Sequence, residues 1–422
     1  MARARGALVL GSNLRALGIA RSLGRRGVET WLLHGPGEDR AARSSRYVRR
    51  AMRAPEGDSG LQRDALLAIA ARYGLEGWTL FPSDDEPAAM IAREYEALAT
   101  CYSLTSPGWD VYRYAYHKRL THMLAERIGV PYPWTRYPGT LCDVGELECE
   151  FPVILKPDAK REENRFTLDK AWRVTDRCAL LAAWKDAARL VGSDAVMVQE
   201  LIPGGGEAGY SFAALCQDGV PVASLVARRS RQYPRDFGHS SSLVETIEAP
   251  EVEQHGGAIV AALEWNGLIE AEFKYDPRGD VYRLLDLNGR AWTWHGLGPR
   301  AGVDFPYLAW RLAQGLPVEP ARARAGVRWV RLATDIPSAL GALRAGELTL
   351  GGWMASLRRP RQAAVWALDD PLPAVVDPVL VASRTILRRA RVNRGQRHQP
   401  QPPPHQSPHS SSTDRSAAKE LV

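Results

Sequence analysis

Glu272, Asp286 and Asn288 lie close together in the chain and all carry oxygen ligands. The runs 269–275 and 281–287 are strand-like. Between them stands Asp276-Pro277-Arg278-Gly279-Asp280, a turn-forming composition, so the segment predicts a hairpin. Residues two apart on a strand face the same way. Asp286 and Asn288 therefore share a face, and pairing brings Glu272 to them. An acid and an amide inside the apolar run Leu284-Leu285-Asp286-Leu287 need partners. Hard, octahedral Mg²⁺ takes oxygen ligands, few of them protein carboxylates, with phosphate oxygens completing its shell. The stretch 270–290 thus reads as a magnesium and nucleotide-phosphate site, against the plainer alternative of a polar strand face. Glu270 shares the face of Glu272 but has no matching role. Arg290 and Arg300, just beyond, have the fork that holds a carboxylate.

Other segments carry weaker signals of the same chemistry. Lys156 ends the apolar run Phe151-Pro-Val-Ile-Leu-Lys156-Pro157, which puts an ammonium at the rim of a core. There it can clamp phosphate or simply snorkel. The run 196–198 leads into Gln199-Glu200-Leu201-Ile202-Pro203-Gly204, with Glu207 after it. A segment leaving a sheet in this way can offer backbone groups to an adenine edge and a carboxylate to ribose, or be a plain strand end. Arg228-Arg229-Ser230-Arg231 follows another strand, either to contact phosphate or a carboxylate intermediate or as a solvated loop. Trp292, Trp294 and His295 line an acceptor pocket or belong to an aromatic core. Only seven of the 55 basic residues are Lys, at 118, 156, 160, 170, 185, 274 and 419. In so Arg-rich a chain, a retained Lys is weighted towards places that need a compact ammonium.

Taken in order, these segments resemble the ATP-grasp superfamily, carboxylate–amine ligases in particular. The resemblance covers about 110–310, and by its order of elements the chain from residue 6. It implies that Lys118 and Lys156 are the two nucleotide lysines. Gln199, Glu200, Leu201 and Ile202 become the strand that meets adenine, and Glu207 the ribose carboxylate. Glu272, Asp286 and Asn288 become the metal ligands, and Leu285-Asp286-Leu287-Asn288-Gly289-Arg290 is similar to the family's acidic-x-Asn-x-Arg signature. Arg290 and Arg229 are then the catalytic arginines. The implied cofactors are ATP and Mg²⁺, with Mn²⁺ able to take the metal's place. The implied reaction activates a carboxylate as an acyl phosphate and passes it to an amine. One departure stands out: 158–170, where the family often has a glycine-rich phosphate loop, contains no glycine. Lys160, Arg161, Arg165 and Lys170 are available there instead.

The elements that must position these residues begin with a parallel α/β pattern. A strand at 7–10, Gly11-Ser12-Asn13, a helix to about 26 and a strand at 28–33 form a β-α-β opening. A helix at 61–73, a strand at 78–81 and a helix start at Pro82-Ser83-Asp84-Asp85 follow. From 116 the pattern becomes mixed. Helices are predicted at 116–128, 176–190 and 252–265, and strands at 151–157, 196–201, 209–215 and 220–227. The expected class is α/β plus α+β: an N-terminal Rossmann-like domain over 1–105, then an ATP-grasp fold of two α+β lobes over 106–195 and 196–319. A small C-terminal unit is expected at 320–392, ending in a basic-sided helix at 379–391 that docks or touches a membrane surface. A disordered tail is expected over 393–422, rich in Gln, Pro, His and Ser. Its His398, His405 and His409 read as solvated low complexity rather than a metal site.

Composition bounds the rest. At 422 residues, with 45% apolar and 24% charged residues, the chain is globular and too long for one core. The net charge of +7 includes +3 from the tail after residue 390, with five basic and two acidic residues, so no nucleic-acid partner is implied. No run approaches the ~18 apolar residues of a membrane span. The N-terminal apolar run, 7–10, is too short for a secretory signal, and a cytoplasmic location is expected. Cys101, Cys142, Cys149, Cys178 and Cys216 show no C-x-x-C spacing and read as reduced thiols. The expected partners are a small-molecule carboxylate and an amine, and a homodimer is compatible. Two rivals remain: an NAD(P)-dependent oxidoreductase built on Gly11 and Gly18, whose spacing is not G-x-G-x-x-G, and a non-catalytic nucleotide-binding protein.

Overall fold

Alternating apolar strands and capped helices build the first layer. The computed structural model describes residues 5–35, 41–159, 164–233, 240–358 and 361–380. Strands β1 (Ala7–Leu10), β2 (Thr30–His34), β3 (Val48–Arg53), β4 (Thr79–Pro82) and β5 (Ser103–Leu104) form a parallel sheet in the order β3-β2-β1-β4-β5. β1 and β4 are buried throughout, as strands covered on both faces must be. Helix α1 (Leu14–Gly24) starts at Asn13, whose side chain accepts from the amides of Arg15 and Ala16. Helix α2 (Ser59–Tyr73) is capped by Asp58 and ends at Gly74 in the left-handed region, φ 66°. Helix α3 (Asp85–Arg93) is capped by Asp84. The caps Asn13 and Asp84 both follow the carboxyl ends of central strands. That edge is where open parallel sheets gather ligands.

A second sheet is antiparallel and holds Lys156. Its strands are β6 (Thr135–Arg136), β7 (Val153–Pro157), β8 (Trp172–Val174) and β9 (Val196–Glu200), in the order β6-β9-β7-β8. Helix Arg177–Val191, capped by Asp176, packs Leu180, Trp184 and Ala187 into the core of this layer. The helix expected over 116–128 is Lys118–Arg127, preceded by a further helix, Trp109–Tyr116, from which the extended residue His117 divides it. Lys118 opens the later of the two.

The third sheet holds the hairpin. It comprises β10 (Gly209–Gln217), β11 (Val220–Tyr233), β12 (Ser240–Ile247), β13 (Gly267–Asp276), β14 (Val281–Asn288), β15 (Ala321–Arg322), β16 (Arg328–Val330) and β17 (Arg361–Ala363). The order is β14-β13-β10-β11-β12-β16-β17, with β15 beside β11. Residues 328–330 and 361–363, within the segment expected as a small C-terminal unit, thus extend the sheet that carries Glu272. β11 runs six residues past the predicted strand end at 227, so Arg228–Arg231 lie in a strand and not in a solvated loop. A helix begins at 372, ahead of the one expected at 379–391, and is described to 380, whereas 381–391, the tail 393–422 with its histidines, and Lys160 and Arg161 of the glycine-free loop lie outside the described residues.

The acidic turn Asp369-Asp370 fastens this C-terminal segment to α1. Buried Asp370 accepts from Arg21 Nε at 2.8 Å, Ser45 Oγ at 2.7 Å and the Arg46 amide at 2.9 Å. Asp369 takes the fork of Arg25 at 2.8 Å on both oxygens, and Tyr47 Oη at 2.6 Å. The described cysteines are free thiols, of which Cys216 is buried. No helix among the described residues is long and apolar enough to cross a membrane.

Candidate active site

Register decides which polar side chains of the hairpin share a face. Across the β13–β14 pair, Glu272 stands opposite Asp286 and Glu270 opposite Asn288. All four side chains line one cavity of about 1550 Å³. Asn288 Nδ2 donates to Glu272 Oε1 at 2.8 Å. The Arg229 guanidinium reaches Glu272 Oε2 at 2.8 Å. To do so it crosses β10, where Gly209 sits beside Arg229 and Ser211 beside Glu272. Two strand spacings are ~10 Å, so the small residues on β10 clear the way. Lys118 Nζ, from the helix start, lies 2.6 Å from Asp286 Oδ2.

Charge in this face is unevenly held. Burial favours the neutral form of both Glu270 and Glu272. At Glu272 the Arg229 charge and hydrogen bond override it, and the carboxyl is held below its usual range. At Glu270 burial and the adjacent Glu272 charge win, and its pKa is raised even though Ser211 Oγ donates at 3.0 Å. This surplus of acid is one that a divalent cation relieves. No group of three or more His, Cys, Asp or Glu side chains arranged to hold a metal occurs among the described residues. Glu272, Asp286 and Asn288 together offer two carboxylates and an amide. That sparse hard-oxygen set fits Mg²⁺ whose remaining positions go to phosphate.

Lys156 lies across the cleft. Its ammonium donates to Gln199 Oε1 at 2.9 Å, and Gln199 Nε2 donates to Thr135 Oγ1 at 3.0 Å. Burial, followed by the charge of Lys118, brings the Lys156 pKa down to about 8. Gln199 is 1% exposed, and its side chain orients this lysine rather than facing the cleft itself. Glu200 accepts from the Trp134 amide at 2.8 Å and from Arg278 at 2.7 Å, which anchors the end of β9. Leu201 and Ile202 line the cleft beyond it. Lys274, two residues past Glu272, caps the carbonyls of Ile202 at 2.9 Å and Gly204 at 2.7 Å. Glu207 folds back onto its own loop, accepting from the Gly205 amide at 2.8 Å, and is not among the cleft-lining residues.

The first sheet contributes directly. Arg290 is 5% exposed and lines the cleft. It donates to Asn288 Oδ1 at 2.9 Å and to Asp85 Oδ2, at the start of α3, at 3.1 Å. Burial works against its charge, but Asp85, Asp84 and Glu270 outweigh that, and its pKa is raised. A chain of bonds thus runs from Asp85 through Arg290 and Asn288 to Glu272 and Arg229. Arg15, Asp84 and Asp85 complete this wall. Sequence reasoning gave them no role, although Asp84-Asp85 at a helix start after a central strand was a usable signal. Arg300 is exposed and absent from the cleft. Trp292 is core, packed edge-on to Phe305 at 4.8 Å, whereas Trp294 reaches the cleft wall.

Gly18 has a packing reason. A Cβ there would lie 2.5 Å from His295 Nε2, so the glycine admits the buried imidazole against α1. Its conservation of space for a ring, not a dinucleotide turn, explains the residue. His295 Nδ1 meets the Trp292 carbonyl at 2.7 Å, and burial brings its pKa to about 4.

No protein-family model and no curated protein matches the sequence. Solved structures do match. The L-amino acid ligase from Bacillus licheniformis aligns with a TM-score of 0.59 and 16% identity, covering 76% of each chain. The biotin carboxylase domain of the Hydrogenobacter thermophilus 2-oxoglutarate carboxylase, a complex with MgADP and bicarbonate, aligns with a TM-score of 0.61 and 15% identity, over 77% of this chain and 74% of that one. The chain has the ATP-grasp fold. The Campylobacter jejuni biotin carboxylase, a complex with β-γ-ATP, is a third match, with a TM-score of 0.60 and 16% identity over 76% and 74% of the two chains. Within the ATP-grasp fold of this protein, the hairpin acids and the two lysines meet in the one cleft described above.

Proposed function

We propose that this chain is an ATP-dependent ligase that activates a carboxylate as an acyl phosphate and joins it to an amine, forming a C–N bond. One observation carries the proposal: Glu272, Asp286 and Asn288 of the β13–β14 hairpin, Lys118 of the helix Lys118–Arg127 and Lys156 of β7 line a single cleft. A cavity of about 1550 Å³ exceeds the ~300–1,000 Å³ of a single-ligand pocket, which leaves room for two further substrates beside a nucleotide. We assign residues 1–105 to a Rossmann-like domain that walls the acceptor end, 106–195 and 196–319 to the two grasping lobes, and 320–392 to a smaller C-terminal unit.

Glu272, Asp286 and Asn288 would hold Mg²⁺, which supplies charge neutralisation to the phosphates. Lys118 and Lys156 would add their ammonium groups to the same phosphates, and Leu201 and Ile202 would border the base. A carboxylate oxygen attacks the γ-phosphorus as the bond to the ADP oxygen breaks. The amine then attacks the acyl carbon, phosphate departs with the bonding pair, and the amine loses a proton. Arg290 and Arg229 would bind the oxygens whose charge grows in these steps. Such catalysis is mainly positioning and charge stabilisation, and no enzyme nucleophile is required.

The test is a Mg-ATP-dependent ADP-release screen over paired carboxylates and amines. Asp286→Ala and Glu272→Ala are expected to abolish turnover with the fold retained by circular dichroism. Full turnover in both variants overturns the metal assignment, and stabilisation by NAD rather than Mg-ATP in a thermal-shift panel overturns the ligase itself.

A further inference from the structure

Where the first layer meets the chain just past β14, the wall of the cleft holds guanidinium donors without partners among the described residues. Arg15, in the first turn of α1, uses NH1 twice, on the Ser83 carbonyl at 3.2 Å and on Asp84 Oδ1 at 3.2 Å. Its Nε is buried and has no partner among the described residues. Arg290 uses NH2 on Asp85 and Asn288 and NH1 on the Ala291 carbonyl, and its Nε is likewise buried without a partner. Both arginines line the same cleft. Arg290 is close enough to be felt at Arg15: after burial, its charge is the largest influence lowering the Arg15 pKa. Buried donors of this kind are satisfied in a folded protein or by its ligand.

The position of Arg15 fixes what it can serve. Arg290 stands two residues past Asn288 and bonds to it, so it belongs to the reacting end. Arg15 bonds to Asp84, the residue before Arg290's partner Asp85, whereas Arg290 bonds to Asn288 itself. Asp84, Asp85 and Glu270 all act on this pair of arginines. That much acid repels a phosphate dianion but tolerates a singly charged group taken by a guanidinium edge.

We propose that Arg15 is a specificity-determining residue that binds a second carboxylate of the substrates, one distinct from the carboxylate that is phosphorylated. This rests on the ligase function proposed above. The second carboxylate has two sources: the far end of the activated acid, or the α-carboxylate of an amino acid that supplies the amine.

The experiment is ADP release by the full chain with Mg-ATP and probes matched to differ by one carboxylate. One arm sets butyrate against glutarate with methylamine as nucleophile. The other sets ethylamine against alanine with acetate as the acid. These arms extend to the best pair found in the wider screen. Turnover is expected to favour the extra carboxylate by at least tenfold in kcat/KM in one arm, and that arm names the source. Arg15→Ala is expected to raise KM for that substrate at least tenfold with kcat within about threefold, to leave KM for ATP unchanged, and to erase the preference. Arg15→Lys is expected to restore part of it, and thermal melts check that both variants fold. Equal turnover within both arms overturns the inference, as does an Arg15→Ala effect on kcat alone. Absence of ADP release with every pair instead overturns the ligase reading beneath it.

Discussion

Replacing Lys156 by methionine separates stability from activity. Methionine keeps most of the side-chain length and removes the charge. Burial and the Lys118 charge take the Lys156 pKa from its usual 10.5 to about 8. A difference of about 2.5 units corresponds to about 3 kcal/mol at ~1.36 kcal/mol per unit. Solvent reaching this half-buried ammonium discounts that figure, and the lost bond to Gln199 removes about 1 kcal/mol more. Lys156→Met is therefore expected to stabilise the protein by about 1–2 kcal/mol at pH 7, raising its melting temperature by a few degrees. The folded chain binds this proton more weakly than the unfolded chain does. The penalty is thus fully present below pH 8 and gone above 10.5, and wild-type stability from this group rises across that window. Thermal melts by circular dichroism at pH 7 and pH 10 should show the variant's advantage shrinking as pH rises. ADP release should meanwhile fall by at least ~100-fold, the usual scale for removing a preorganised charge contact. A variant that melts below the wild type at pH 7, or that turns over normally, refutes the reasoning.

Further outcomes follow from neighbouring contacts. Asp85→Asn removes charge from the partner of Arg290, and kcat is expected to drop roughly tenfold with KM for ATP little changed, read by steady-state ADP release. Asp370→Ala leaves Arg21, 6% exposed, without its carboxylate, and should cost about 3–5 kcal/mol in denaturant unfolding. Gly18→Ala drives a methyl into the His295 ring and should cost about 1–3 kcal/mol, with Mg-ATP affinity by calorimetry unchanged.

The hairpin was legible because strand alternation and an Asp-Pro-Arg-Gly-Asp turn fix which side chains share a face, and register then does the rest. Lys156 at the end of an apolar strand was legible for the same reason. The task of Gln199 was not, since nothing local says that a side chain on one strand will meet an ammonium on the next. Edge strand β3 escaped notice because Val48–Arg53 is largely exposed and shows no apolar alternation. The extension of β11 was hidden because its arginines break the apolar pattern of the strand, and their partners Glu272 and Asp335 lie on other elements. The break at His117 carried no Gly or Pro to announce it. The contribution of Asp85 depended on a contact 205 residues away in the chain.

The clasp at Asp370 also bears on how the chain is made. Arg21 lies on α1, yet its buried partner is made 349 residues later. At ~5–20 residues per second, a ribosome needs roughly 20–70 s to supply that carboxylate. Until then the α1 face keeps an uncompensated guanidinium in water, so burial of that face waits for Asp370. A chain that stops short of the acidic turn is thereby left open to proteases and chaperones.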